Sequence, residues 1–144
     1  MNIETVFTLA NSFVPVCWLL LLLAPRWKVT RIAILSGLVP AAYAVVYLVL
    51  IVMYFGKGEG DFSSLAGVMK LFEQPEAVTA GWIHYLAFDL FVGTWIVANS
   101  QKHRIAHLWI VPCLLLSFLF GPAGLLLYLI IRAILTKQLI HENF

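Results

Sequence analysis

Four stretches of the sequence, about residues 3–24, 32–55, 77–99 and 105–131, each run for more than 20 residues with almost no charge. A helix rises ~1.5 Å per residue, so ~20 apolar residues cover the ~30 Å of a bilayer's hydrocarbon. A soluble helix of that length would need a polar face. The chain as a whole has no polar surface to spare: 62% of its 144 residues are hydrophobic and 11% charged, against about 25% charged in soluble domains. The expected fold is all-α, an integral membrane four-helix bundle forming a single four-span transmembrane domain over 1–144, with a short interfacial helix between spans 2 and 3.

The boundaries carry recognisable signals. Span 1 is expected to stop at Pro25, because a proline drives the residue before it out of helical conformation. Its apolar run is too long for a signal peptide, and Arg26 and Lys28 follow it rather than precede it, so it reads as a retained helix. In span 2, Pro40 lacks an N–H and predicts a kink. Phe62, Leu65, Met69 and Phe72 recur at helical spacing and predict the interfacial helix, with Asp61, Ser63 or Ser64 as its cap and Gly67 weakening it. Gln74-Pro75-Glu76 predicts the start of span 3. Span 4 contains Pro112 and the run Gly121-Pro122-Ala123-Gly124, which predicts a bent helix or a turn onto the interface. The tail from Arg132 to Phe144 is expected to leave the membrane. Arg26, Lys28 and Arg31 after span 1, and Lys102 with Arg104 after span 3, form two short basic loops of the kind held in the cytoplasm. That orientation puts both termini outside.

Few residues can do chemistry. Asp89 lies in the middle of span 3, where an ionised carboxylate is disfavoured by roughly 2.5–3.5 kcal/mol, so it needs a partner or a task. Low-dielectric surroundings favour its neutral form, and a neutral carboxyl can pass a proton to an oxygen of a lipophilic molecule; the alternative is an interhelical hydrogen bond. At ~100° per residue His84 and Asp89 stand ~140° apart on the helix and cannot face one point. Asp89 shares its face with Trp82 and Tyr85. Phe88, Phe91 and Trp95 follow His84 and could line a groove for a polyene, or face lipid. His103 and His107 have metal-binding spacing but no third ligand, and Cys17 and Cys113 lie in apolar runs with neither metal nor disulfide spacing, so no metal is expected. The formal charge of +2 gives no footprint for nucleic acid.

The strings Trp82-Ile83-His84-Tyr85 and Asp89-Leu90-Phe91, then His107, Cys113-Leu114 and Pro122-Ala123-Gly124, resemble the abscisic-acid-deficient-four-like family, whose plant plastid members are associated with neoxanthin synthesis. The resemblance covers about residues 75–132. It implies a four-span protein that isomerises a carotenoid or related isoprenoid epoxide by acid/base chemistry, with no cofactor. Asp89 would be the acid, His84 or His107 the base, and Trp82, Tyr85 and Trp95 the substrate-binding residues. The implied partners are membrane lipid and a lipophilic small molecule such as a carotenoid, with a homo-oligomer or larger membrane complex compatible. Without a Ser/Arg-rich transit segment ahead of span 1, the expectation is a bacterial-type member in a plasma membrane. Two other classes fit the same residues: a non-enzymatic membrane subunit that binds a pigment or lipid or aids assembly, and a small transporter using Asp89 as a proton relay.

Overall fold

The computed structural model describes residues 2–137. Among them there are helices and no strands. The first helix, α1 (Ile3–Leu23), is capped by Asn2, whose side chain accepts from the Glu4 and Thr5 amides, and it ends one residue before Pro25 at Ala24. Its inward stripe is Val14, Cys17, Trp18 and Leu21, the i, i+3, i+4, i+7 spacing of a helix with one buried face.

The second crossing, Lys28–Tyr54, is continuous enough to span but is built in three pieces: α2 (Lys28–Thr30), a π-helical turn over Arg31–Leu35, and α3 (Leu38–Tyr54). The irregularity expected at Pro40 falls instead at Ser36–Gly37, where Gly37 takes φ +86°. Pro40 is the third residue of α3, inside the first turn, where a missing N–H removes no hydrogen bond. The interfacial helix is short, α4 (Leu65–Leu71), and of the three candidate caps Ser64 serves, accepting from the Gly67 amide at 3.0 Å. Gly67 does more than weaken the helix: a Cβ there would lie 2.6 Å from the Asp61 carboxylate, so glycine lets the loop close onto α4.

The longest helix, α5 (Pro75–Lys102), starts at the expected proline. It packs against α1, α3 and both helices that follow, and its buried residues extend from Thr79 to Ser100. At Gly93 the α1 side chains press close, since a Cβ would meet the Trp18 ring at 2.7 Å.

The expected fourth span is not one helix. Among the described residues three helices are long and apolar enough to cross a membrane, Ile3–Leu23, Lys28–Tyr54 and Pro75–Lys102. The remainder is divided at Gly121 into α6 (His107–Phe120) and α7 (Pro122–Thr136). At 14 and 15 residues they extend ~20 Å each, short of a ~30 Å core. The two pack on each other so closely at Gly124 that a Cβ would collide with the Cys113 carbonyl and Ser117, the small-residue contact that lets two backbones meet. Along α5, Tyr85 bonds Leu119, Asp89 abuts Gly121, Trp95 packs on Tyr128, and Asn99 bonds Tyr128 and Arg132. The hairpin therefore climbs to the middle of α5 and returns to the end it left. Pro122 explains the reversal: it opens α7 at the N-terminal position where proline fits best.

This changes the topology. The N-terminal half of α1, where Asn11 bonds Trp82, lies toward the start of α5, and the end of α7, where Arg132 bonds Asn99, lies toward its end, so the two ends of the described chain do not share a side. Part of the tail expected to leave the membrane lies outside the described residues, but Arg132 is 4% exposed inside α7. Arg132 and Lys137 thus join Arg26, Lys28, Arg31, Lys102 and Arg104 at one end, seven of nine basic residues, leaving Lys57 and Lys70 at the other with Glu4, Glu59, Asp61, Glu73 and Glu76. Single cysteines replacing Lys102 and Lys137 are expected to react with an impermeant maleimide from one side of the membrane, and one replacing Glu59 from the other. A fourth full crossing would instead put Lys137→Cys with Glu59→Cys.

Candidate functional site

The outer halves of α3 and α5, with the loop and α4 above them, enclose a cavity of about 520 Å³. Its wall is mostly apolar, and its polar members include Tyr47, Tyr54, Gln74, Glu76 and His84. The roof is tied down by Gln74, whose side-chain amide donates to the Glu59 carbonyl at 3.0 Å, and by the Lys70–Glu59 ion pair at 3.6 Å. A mostly apolar cavity with a few convergent polar groups suits an amphipathic small molecule.

His84 is the one histidine on this cavity. It sits nine residues into α5, ~14 Å along the axis from Pro75. Its ring packs between Tyr47 (5.3 Å) and Phe88 (4.7 Å), contacts that fix the ring plane and leave both nitrogens without a hydrogen-bond partner among the described residues. The ring is exposed on the helix surface, where a bilayer's hydrocarbon would offer it no water as a partner. The cavity is the place from which a ligand could supply one.

Asp89 lies on the opposite face, as the helical period requires. It is 7% exposed, with its carboxyl against the Gly121 turn and one oxygen, Oδ2, buried without a hydrogen-bond partner. The Tyr85 hydroxyl, 3.3 Å from the Leu119 carbonyl, borders the same carboxyl. Trp82 packs at a tilt on Tyr85 at 5.3 Å and donates from Nε1 to Asn11 at 3.1 Å. Trp82, Tyr85 and Asp89 are thus brought together, whereas His84 is not brought to them.

Trp95 is elsewhere, edge-on to Tyr128 at 5.5 Å with the Arg132 guanidinium 5.9 Å from its ring. Phe88 and Phe91 are more than half exposed, so no aromatic groove joins them to Trp95. His107 is at the basic end: Leu22's carbonyl, 2.8 Å from Nε2, requires the proton on that nitrogen, and the bond clamps α6 to the end of α1. It opens α6, whereas His103 is the C-cap of α5, so the metal-like spacing does not share a face. Among the described residues no group of three or more metal ligands gathers. His107→Ala is expected to cost the ~0.6–2 kcal/mol of an interhelical hydrogen bond, read as a lower melting temperature, with no change in any activity at the cavity.

Two features were missed from sequence. The cavity's far wall comes from α3 and the 56–62 loop, which pattern alone gives only as a polar string. The buried network of Asn99, Tyr128 and Arg132, with Asn99 Oδ1 accepting from Tyr128 at 2.6 Å and Arg132 at 3.3 Å, needs the hairpin; the available signal was an arginine at i+4 from a tyrosine on an apolar helix.

The profile of a family described as ABA DEFICIENT 4-like matches residues 5–128. The chain is 23% identical over 143 residues to the chloroplastic protein ABA DEFICIENT 4 of Arabidopsis thaliana, an alignment covering 94% of this chain and 64% of that protein. The chain thus spans less than two thirds of the plant protein's length. No solved structure matches it.

Proposed function

Because the chain belongs to the ABA DEFICIENT 4-like family, we propose that it is a neoxanthin-synthase-like membrane protein that isomerises a carotenoid or related isoprenoid epoxide held in the cavity between α3 and α5. The observation that carries this reading is the unpartnered His84 imidazole on a mostly apolar 520 Å³ cavity. Opening an allylic epoxide to an allene needs one proton delivered to the epoxide oxygen and one removed from the neighbouring polyene carbon. A protonated imidazole gives the first as the C–O bond breaks, and the neutral imidazole then takes the second as the new double bond forms. The proton returns to its donor, so atoms and charge balance with no redox step. Gln74 and Glu76, half-buried on the cavity wall, would meet the ring's polar substituents near the interface, and the chain's basic end would face the cytoplasm.

A second reading keeps the acid at Asp89, favoured by its unpartnered Oδ2. There the hairpin tip would have to admit the substrate, and His107 would take no part. Conversion of an epoxidised carotenoid by membranes carrying wild type, His84→Gln or Asp89→Asn at matched protein level separates the two. Loss in His84→Gln with activity kept in Asp89→Asn supports the cavity; the reverse pattern supports the hairpin tip. Bound pigment recovered unchanged from active-level wild type would instead favour a pigment-binding subunit.

A further inference from the structure

We propose that a groove at the basic end of the molecule binds the phosphate of an anionic phospholipid. The groove, about 800 Å³, is lined by Arg26, Lys28, Arg31, Ile32, Ser36 and Leu38. Local structure brings them together: α2 is a single turn, the π-helical turn from Arg31 to Leu35 widens the coil, and Gly37 at φ +86° swings α3 away. Arg26, Lys28 and Arg31, which a straight helix would spread around its circumference, then border one hollow.

Three cations there have no acidic partner among the described residues. Among the described residues the ion pair is Lys70–Glu59 at the far end of the molecule, and apart from Asp89 the described acids lie at that far end too. Like charges held around one groove repel, and an anion between them turns that repulsion into charge-assisted hydrogen bonding. The Ser36 hydroxyl is occupied with the Ile32 carbonyl at 2.5 Å, so the cations are the binding groups. The groove also has an apolar wall, Ile32 and Leu38, both more than half exposed, at the level where two apolar helices reach the interface. Soluble phosphate shares the anionic chemistry but makes no use of that wall. A phospholipid uses both, with its phosphate on the arginines and the first part of an acyl chain along Ile32 and Leu38.

Native mass spectrometry of the full chain in detergent tests this, with phosphatidylglycerol, phosphatidylcholine and inorganic phosphate as separate probes. Wild type is expected to retain one phosphatidylglycerol at least about fivefold more tightly than phosphatidylcholine, and Arg31→Gln to lose about fivefold, the worth of one interfacial charge. The double variant Lys28→Gln/Arg31→Gln is expected to lose about 25-fold on the same scale. Because these charges also guide insertion, the matched control is Lys102→Gln/Arg104→Gln, which removes equal charge from the neighbouring turn and is expected to retain the lipid. Equal losses in the two double variants, or no loss in either, overturn the proposal. Retention of inorganic phosphate with no preference between the lipids overturns the lipid as its source.

Discussion

His84→Gln is expected to reduce conversion of an epoxidised isoprenoid by at least ~100-fold, the lower part of the range for loss of a general acid/base group, while leaving protein level and bound pigment within twofold of wild type. The separation of those readouts follows from where His84 sits. Its ring makes side contacts with Tyr47 and Phe88 that a glutamine's stem can largely replace, and it has no bond to another helix whose loss would loosen the bundle. Glutamine also keeps a donor and an acceptor toward the cavity, so a ligand held by hydrogen bonding stays. What glutamine cannot do is give up a proton and take it back. Conversion assayed in membranes, with extracted pigment quantified from the same preparation, checks both halves.

The second large effect belongs to the hairpin. Gly121→Ala is expected to lower the amount of folded protein severalfold, through two separable costs. The backbone there is at φ +39°, ψ −92°, a region that residues with a Cβ enter only with about 1–3 kcal/mol of strain, and the new methyl group would press into the Asp89 carboxyl. Adding Asp89→Ala removes the second cost and leaves the first. The double variant is therefore expected to be more stable than the sum of the two single losses predicts, by at least about 0.5 kcal/mol, the coupling expected of residues in contact. Thermal unfolding of the four proteins of this cycle in one detergent measures it, and strict additivity would mean that the carboxyl does not meet the turn.

Much of the scaffold was legible because its signals are local. Pro25 ended α1, Pro75 and Glu76 opened α5, and the helical period placed His84 and Asp89 on opposite faces. The prolines were harder to read, since the same residue kinks a helix from its interior and begins one from its first turn. Pro40 and Pro122 both take the second role, and what decides it lies in glycines rather than in the prolines: Gly37 with its positive φ, and Gly121 with Gly124 packed onto Cys113 and Ser117. Hydropathy runs unbroken across Gly121, so the sequence reads as one long span where the chain reverses. From that one difference follow the side on which α7 ends and the burial of Arg132. Asp89, singled out by its depth, proves to touch the tip of the hairpin. The accessible imidazole is the less conspicuous His84.

Filling the cavity without touching its histidine probes the account most directly. Ala77 lines the cavity wall, and Ala77→Trp should occupy the space an isoprenoid ring needs while leaving His84, Asp89 and the hairpin in place. Titration of purified wild type and Ala77→Trp with an epoxidised carotenoid, followed by absorbance, is predicted to show binding at least tenfold weaker in the variant, since the loss of one well-packed ring contact exceeds about 1.4 kcal/mol. Unchanged affinity and unchanged conversion in a folded Ala77→Trp protein would contradict it, and would send the search for the substrate to the other face of α5.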